Sequence, residues 1–140
     1  GDNYDLLNSH VLPALIRKCH DAKTNGDASV EVWGTGSPRR EFLFVDDLAD
    51  ACLFLMKNYD SEEIINVGVG EDISISDLAV LVKKIVGFKG DLRFDTSKPD
   101  GTPRKLLDVS RIHELGWKAT TNLENGIALA YQSYLDSINP

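Results

Sequence analysis

The chain has 140 residues and a mass of 15.5 kDa, with 42% hydrophobic and 26% charged residues. That composition excludes collagen-like, low-complexity and disordered chains, and a single domain is the expectation at this length. Lys and Arg total 15 against 22 Asp and Glu, a net charge of −7, so neither nucleic acid nor an anionic membrane is an expected partner.

No apolar run approaches the ~20 residues that span a bilayer, and no signal-peptide pattern opens the chain. Cys19 and Cys52 are too few for a disulfide framework and lack metal-ligand spacing. The expectation is a cytoplasmic protein in a reducing compartment.

Asp2 to Leu7 is polar and predicts no regular structure. Pro13 marks a helix start, because its missing N–H is harmless only among the first donors of a helix; the cap then falls near Ser9 or His10. Leu12, Leu15, Ile16 and Cys19 follow at the spacing of one apolar face. Ser29 to Trp33 alternates and predicts a strand. Gly34-Thr35-Gly36-Ser37-Pro38 is a turn cluster, and Arg40 to Val45 predicts a second extended segment. Asp46 is the expected cap of a helix to about Lys57, with Leu48, Cys52, Leu55 and Met56 on its buried side. Ile64 to Gly68 predicts a short apolar strand. Ser74 and Asp77 form a capping-box-like pair ahead of Leu78, Leu81, Val82 and Ile85, a helix that Gly87 closes.

Leu92 to Asp95 predicts a strand, and the Pro-Asp-Gly signal inside Ser97 to Lys105 predicts a loop. Asp108 is the expected cap of a short helix stopping at Gly116. Thr121 with Glu124 predicts a capping box for a last helix, whose Leu123, Ile127, Tyr131, Tyr134 and Leu135 share a face. Helices and strands alternate, but the strands are few and short. The fold class is therefore α/β (mixed α+β) with an incomplete sheet, and no repeat or linker divides residues 1–140.

Chemistry is marked first by what is missing. The sequence holds no Gly-x-Gly-x-x-Gly, no Walker loop and no Tyr-x-x-x-Lys pair, and His10, His20 and His113 form no metal-like arrangement with the cysteines. Two loops stand out in an acidic chain. Trp33 to Arg40 combines glycines, which admit a ligand close to the backbone, with arginines that grip phosphate bidentately. Lys98 to Lys105 sets Lys98, Arg104 and Lys105 around Asp100. Together they point to a small anionic ligand; the plainer alternative is two solvated turns. His10, at a helix start, is either a proton-exchanging residue or a surface histidine. Trp33 either stacks on a ligand or fills the core, Asp100 either accepts from ligand donors or only makes a turn, and both cysteines read as structural.

Ser9-His10-Val11-Leu12-Pro13-Ala14-Leu15, Val32-Trp33-Gly34-Thr35-Gly36, Arg40-Glu41-Phe42-Leu43, Val45-Asp46-Asp47, Ile65-Asn66-Val67-Gly68 and Lys98-Pro99-Asp100-Gly101-Thr102-Pro103-Arg104-Lys105 occur in this order. From Asp2 onward the chain resembles the C-terminal half of the GDP-L-fucose synthase family, epimerase/reductases among the extended short-chain dehydrogenases. The resemblance implies a substrate-binding region over residues 1–140, with the Rossmann core absent or incomplete and the N-terminal NADP-binding domain outside the chain. NADP(H) would serve the whole enzyme, with none bindable by these residues alone.

Residue by residue, the resemblance gives His10 as the acid that reprotonates the sugar during epimerisation and as a neighbour of the nicotinamide. It gives Lys18, Trp33, Arg40, Asp100 and Lys105 as substrate-binding residues: Arg40 on the diphosphate, Trp33 beside the nucleotide, Asp100 accepting from GDP, Lys105 near the diphosphate. Lys18 stands where relatives often carry arginine, so the bidentate fork is lost. The implied partners are GDP-4-keto-6-deoxy-mannose or GDP-L-fucose, the missing Rossmann domain and a second copy in a homo-oligomer. Phe42 to Met56 and Ile64 to Gly68 would pack on that missing domain, leaving apolar surface exposed without it. A non-catalytic sugar-nucleotide module and an epimerase or dehydratase for another nucleotide sugar are the alternatives.

Overall fold

In a computed structural model, residues 2–6 and 8–139 are described, so Leu7 of the polar opening lies outside them. Helix α1 (Val11–Asn25) takes His10 as its N-cap, and Pro13 sits in the unpartnered first turn as its chemistry demands. Strand β1 (Ser29–Trp33) buries Val30 and Val32 and turns Trp33 outward. It pairs in parallel with β4 (Asp91–Asp95), Trp33 opposite Asp95. Helix α3 (Ile75–Val86) is capped by Ser74, whose hydroxyl oxygen accepts from Asp77 N at 3.0 Å. Gly87, at φ 78°, closes it in the left-handed conformation.

Helix α3 packs against both α1 and α5 (Leu123–Ile138), and α1 packs against β1. Their buried faces interlock as one core of Leu15, Ile16, Cys19, Leu78, Val82 and Ile127 with Val30 and Val32 of β1. Close packing of such residues is the main stabilising term, at about 1.5–3 kcal/mol for each fully buried side chain. Ala51, Val109, Ile112 and Trp117 form a smaller second core around helix α2 (Val45–Asn58) and the short α4 (Ser110–Glu114).

Three two-residue strands make a second sheet. In it β2 (Arg39–Arg40) lies between β3 (Ile73–Ser74), antiparallel, and β5 (Arg104–Lys105), parallel. The segment expected to be extended from Arg40 to Val45 thus pairs only at its start. Among the described residues no strand lies beside Phe42–Phe44, and Glu41 turns its carboxylate to the main-chain N–H groups of Val69, Gly70 and Leu107 instead. Ile64 to Gly68 likewise makes no ladder. The expected loop through Lys105 ends in strand β5 for the same pairing reason.

The expected buried side of α2 is corrected most. Leu48 is 43% and Met56 83% exposed, Cys52 is exposed and Leu55 half-buried, while Asp47 and Ala51 are the buried residues. With Val45, Leu53 and Ile64 also exposed, an apolar surface stands open where the resemblance implies a missing neighbour. Phe44, rather than Asp46, is the N-cap of α2, leaving Asp46 and Asp47 in the first turn where negative charge is favoured. Asn122, rather than Thr121, caps α5: its side-chain oxygen accepts from Asn125 N at 2.8 Å, while the Thr121 main chain donates to Asp47. Val109 occupies the cap position of α4, with Asp108 accepting from Ser110 N at 3.0 Å. Cys19 is structural, its thiol pushed up to about 11 by burial.

Candidate functional site

The loop after β1 and the loop after β4 leave the same end of the parallel pair, the carboxyl end, where open α/β sheets bind ligands. Asp100 joins them. Its Oδ1 accepts from Thr35 N at 2.9 Å and its Oδ2 from the Thr35 hydroxyl at 2.7 Å. Gly34, at φ 80°, is required twice over: the backbone is left-handed there, and a Cβ would collide with the Asp100 carboxylate. Each carboxylate oxygen retains a lone pair for a further donor.

Trp33, 48% exposed, stands at the edge of this junction and not in the core. Its indole N–H donates to Glu31 Oε1 at 3.1 Å. Two ammonium groups lie over its ring, Lys18 Nζ at 5.0 Å and Lys98 Nζ at 5.5 Å from the centroid. Lys18 reaches there from α1, donating to Glu31 O at 3.0 Å, and partial burial lowers its pKa.

The arginine-rich strands sort their charges by the pleat, which sends successive side chains to opposite faces. Arg39 and Arg104, paired in register, both reach Asp72, with Arg39 Nε at 2.7 Å from Oδ1. Those two hydrogen bonds, that from Arg104 first, hold the Asp72 carboxyl below the usual carboxylate range. Arg40 and Lys105, the next register pair, project the other way. Arg40 Nη1 donates to Thr102 O at 2.6 Å and to Arg39 O at 2.7 Å, while its Nε and Nη2 bond none of the described residues. Lys105 is exposed. Among the described residues no carboxylate lies within 4.0 Å of the charged nitrogens of Lys18, Arg40, Lys98 or Lys105.

His10 stands apart. It is exposed at the head of α1, its main-chain oxygen accepts from Ala14 N at 3.1 Å, and its side chain makes no cap bond. Arg40 lines a cleft of about 590 Å³ with Val69, His113 and Lys118. The start of α1 lines a neighbouring cleft of about 620 Å³ through Leu12 and Pro13, with Phe42 and Thr121 shared between the two. Of the predicted site residues, Arg40 alone lines either of these two clefts; His10, Lys18, Trp33, Asp100 and Lys105 line neither. Lys18 lies over Trp33, Arg40 pairs in register with Lys105, and Asp100 is tied to Thr35 of the loop between β1 and β2, while His10 caps α1 eight residues before Lys18.

Sequence reading alone missed Thr35, Glu41 and Asp72. Thr35 had a findable signal, a hydroxyl between two glycines; Asp72 had none, because its partners lie 32 and 33 residues away. The described residues contain no group of three His, Cys, Asp or Glu able to hold a metal ion and no helix long and apolar enough to cross a membrane.

Residues 1–68 match the NAD dependent epimerase/dehydratase family. A putative GDP-L-fucose synthase 2 from Arabidopsis thaliana is 56% identical over 99% of this chain, which spans 42% of that relative. The GDP-L-fucose synthase of Escherichia coli is 48% identical over 97% of the chain and is covered over 45% of its own length. A GDP-L-fucose synthetase from Naegleria fowleri, solved with NADP bound, superposes with a TM-score of 0.92 at 36% identity, across 99% of this chain and 44% of that one. The chain therefore spans less than half the length of the curated relatives it matches.

Proposed function

We propose that this chain, homologous along nearly its whole length to GDP-L-fucose synthases, is the GDP-sugar-binding part of such an enzyme. The observation that carries this reading is the charge sorting. In a chain of net charge −7, Arg39 and Arg104 share the one carboxylate of Asp72, while Lys18, Arg40, Lys98 and Lys105 have no carboxylate within 4.0 Å among the described residues, on the scaffold that Asp100 clamps. Two ammonium groups over an exposed indole, with Arg40 and Lys105 on the adjoining strands, suit a ligand with phosphates at one end and a flat base or sugar at the other.

In this reading the free Nε and Nη2 of Arg40 take the diphosphate, a geometry that suits a guanidinium and not an ammonium. Lys105, projecting beside it from β5, adds a second positive charge. Trp33 flanks the nucleotide, Lys18 holds the indole in place, and the second lone pairs of Asp100 accept from GDP donors. His10, unencumbered at the head of α1, supplies the proton that returns to the sugar carbon during epimerisation.

The whole enzyme would epimerise C3 and C5 of GDP-4-keto-6-deoxy-mannose and reduce C4, for which NADPH supplies the hydride. The residues described here do not fit that cofactor. Gly34-Thr35-Gly36 follows a strand but leads into β2 and not into a helix, and its Gly34, Thr35 and Ser37 N–H groups are occupied by Asp95, Asp100 and the Thr35 hydroxyl. A pyrophosphate would also meet the Asp100 charge there. The dinucleotide belongs to the polypeptide that the relatives have in addition, and the open face of Val45, Leu48, Leu53, Met56 and Ile64 is where that polypeptide packs.

Calorimetric titration of GDP-fucose into the chain and into Arg40→Ala tests the reading. The expected outcome is binding that weakens about tenfold or more when the fork is removed. Equal affinity for both proteins, or equal affinity for a UDP-sugar, overturns it.

A further inference from the structure

The two ammonium groups over the Trp33 indole are not equivalent. Lys18 is anchored: it rises from α1, is half-buried, and donates to Glu31 O at 3.0 Å while it covers the ring. Lys98 is exposed in the turn that follows β4; its ammonium has no hydrogen bond and no ion pair within 4.0 Å among the described residues, and its charge adds only weakly to the Ser97 hydrogen bonds that stabilise the Asp95 carboxylate. Only its main chain is held, Lys98 N donating to Asp95 O at 3.2 Å, and two residues on the Asp100 carboxylate is fixed to Thr35. A pinned backbone thus carries a free four-carbon stem whose charged end rests on an indole.

That resting contact is shallow. An exposed cation over an aromatic ring gains less than a hydrogen bond between charged groups does. From this inequality we infer that Lys98 is a further ligand-binding residue: its ammonium covers Trp33 in the free site and transfers to the diphosphate of a bound nucleotide sugar, baring the indole for the ligand. The ring opens when an anion arrives to draw the lysine away, so recognition of the phosphates and access to the aromatic face become one event. Lys18, tied to Glu31, stays and keeps the indole oriented. The inference rests on the GDP-sugar reading of this site and adds a residue and an order of contacts to it.

The test uses the chain itself, titrated with GDP and with guanosine, which lacks the phosphates, while the indole N–H resonance of Trp33 is followed. Lys98→Met keeps the stem and removes the charge. The variant is expected to shift the Trp33 resonance before any ligand is added, to bind GDP about tenfold more weakly, and to bind guanosine no more weakly than the parent chain. Lys98→Arg, which keeps the charge, is expected to recover GDP affinity to within about threefold. GDP affinity unchanged in Lys98→Met but reduced in Arg40→Ala would remove Lys98 from the site and leave the GDP-sugar reading standing. Failure of the parent chain to bind GDP overturns both.

Discussion

Thr35 binds both carboxylate oxygens of Asp100, through its N–H at 2.9 Å and its hydroxyl at 2.7 Å, and so ties together two loops that lie 65 residues apart in the chain. Thr35→Val removes one of those bonds, together with the hydroxyl's bonds to Ser37, and keeps the main-chain donor. We expect it to cost about 1 kcal/mol of stability and to weaken GDP binding, since the loop bearing Lys98 and Arg104 loses half its clamp. Urea unfolding and calorimetry on the same variant check the two effects separately.

Asp72 gives the fold a pH dependence of known sign. Hydrogen bonds from Arg104 and then Arg39 hold its folded pKa below the unfolded value of about 3.9. The stability it contributes is fully present above that unfolded value and disappears as pH falls through the lower folded one. Asp72→Asn, which cannot ionise, is therefore expected to be less stable than the parent chain at pH 7. The gap in urea midpoints should close as the solution is acidified. A gap that stays constant down to the acid transition would contradict the role given to this carboxylate.

The exposed face of α2 predicts self-association of the isolated chain. Leu53 is 57% and Met56 83% exposed, so replacing both by glutamate removes little buried area. Leu53→Glu with Met56→Glu is expected to shift light scattering toward monomer without lowering the melting temperature. A compact monomer of the unmodified chain at high concentration would mean that this face needs no partner.

Without a dinucleotide cradle the 140 residues are expected to show no NADPH oxidation with a GDP-4-keto-6-deoxy sugar. Absorbance at the nicotinamide band gives the answer, and measurable turnover would contradict the division of labour proposed here.

How much of this could be read beforehand follows from where each signal lies. Pro13, the Ser74–Asp77 pair and the alternation of Val30 and Val32 act within a few residues of themselves, and α1, α3 and β1 stand where those signals put them. The partner of β2 could not be read, because Arg39–Arg40 meets Arg104–Lys105 across more than 60 residues and each strand is two residues long. The exposure of Leu48 and Met56 could not be read from their helical spacing, since periodicity identifies an apolar face and not what covers it. At the site, the types of Arg40, Asp100 and Trp33 were legible. The pairing of Arg39 and Arg104 with Asp72, which leaves Arg40 and Lys105 without an ion pair, was visible only in the pleat.

Titration of GDP into the isotope-labelled chain, followed by amide and side-chain resonance shifts, locates the ligand. Shifts are expected at Trp33, Thr35, Arg40 and the 98–105 segment, with the exposed face of α2 silent. Shifts gathered instead along the cleft between α1 and α5, leaving Trp33 and Arg40 unmoved, would contradict that placement.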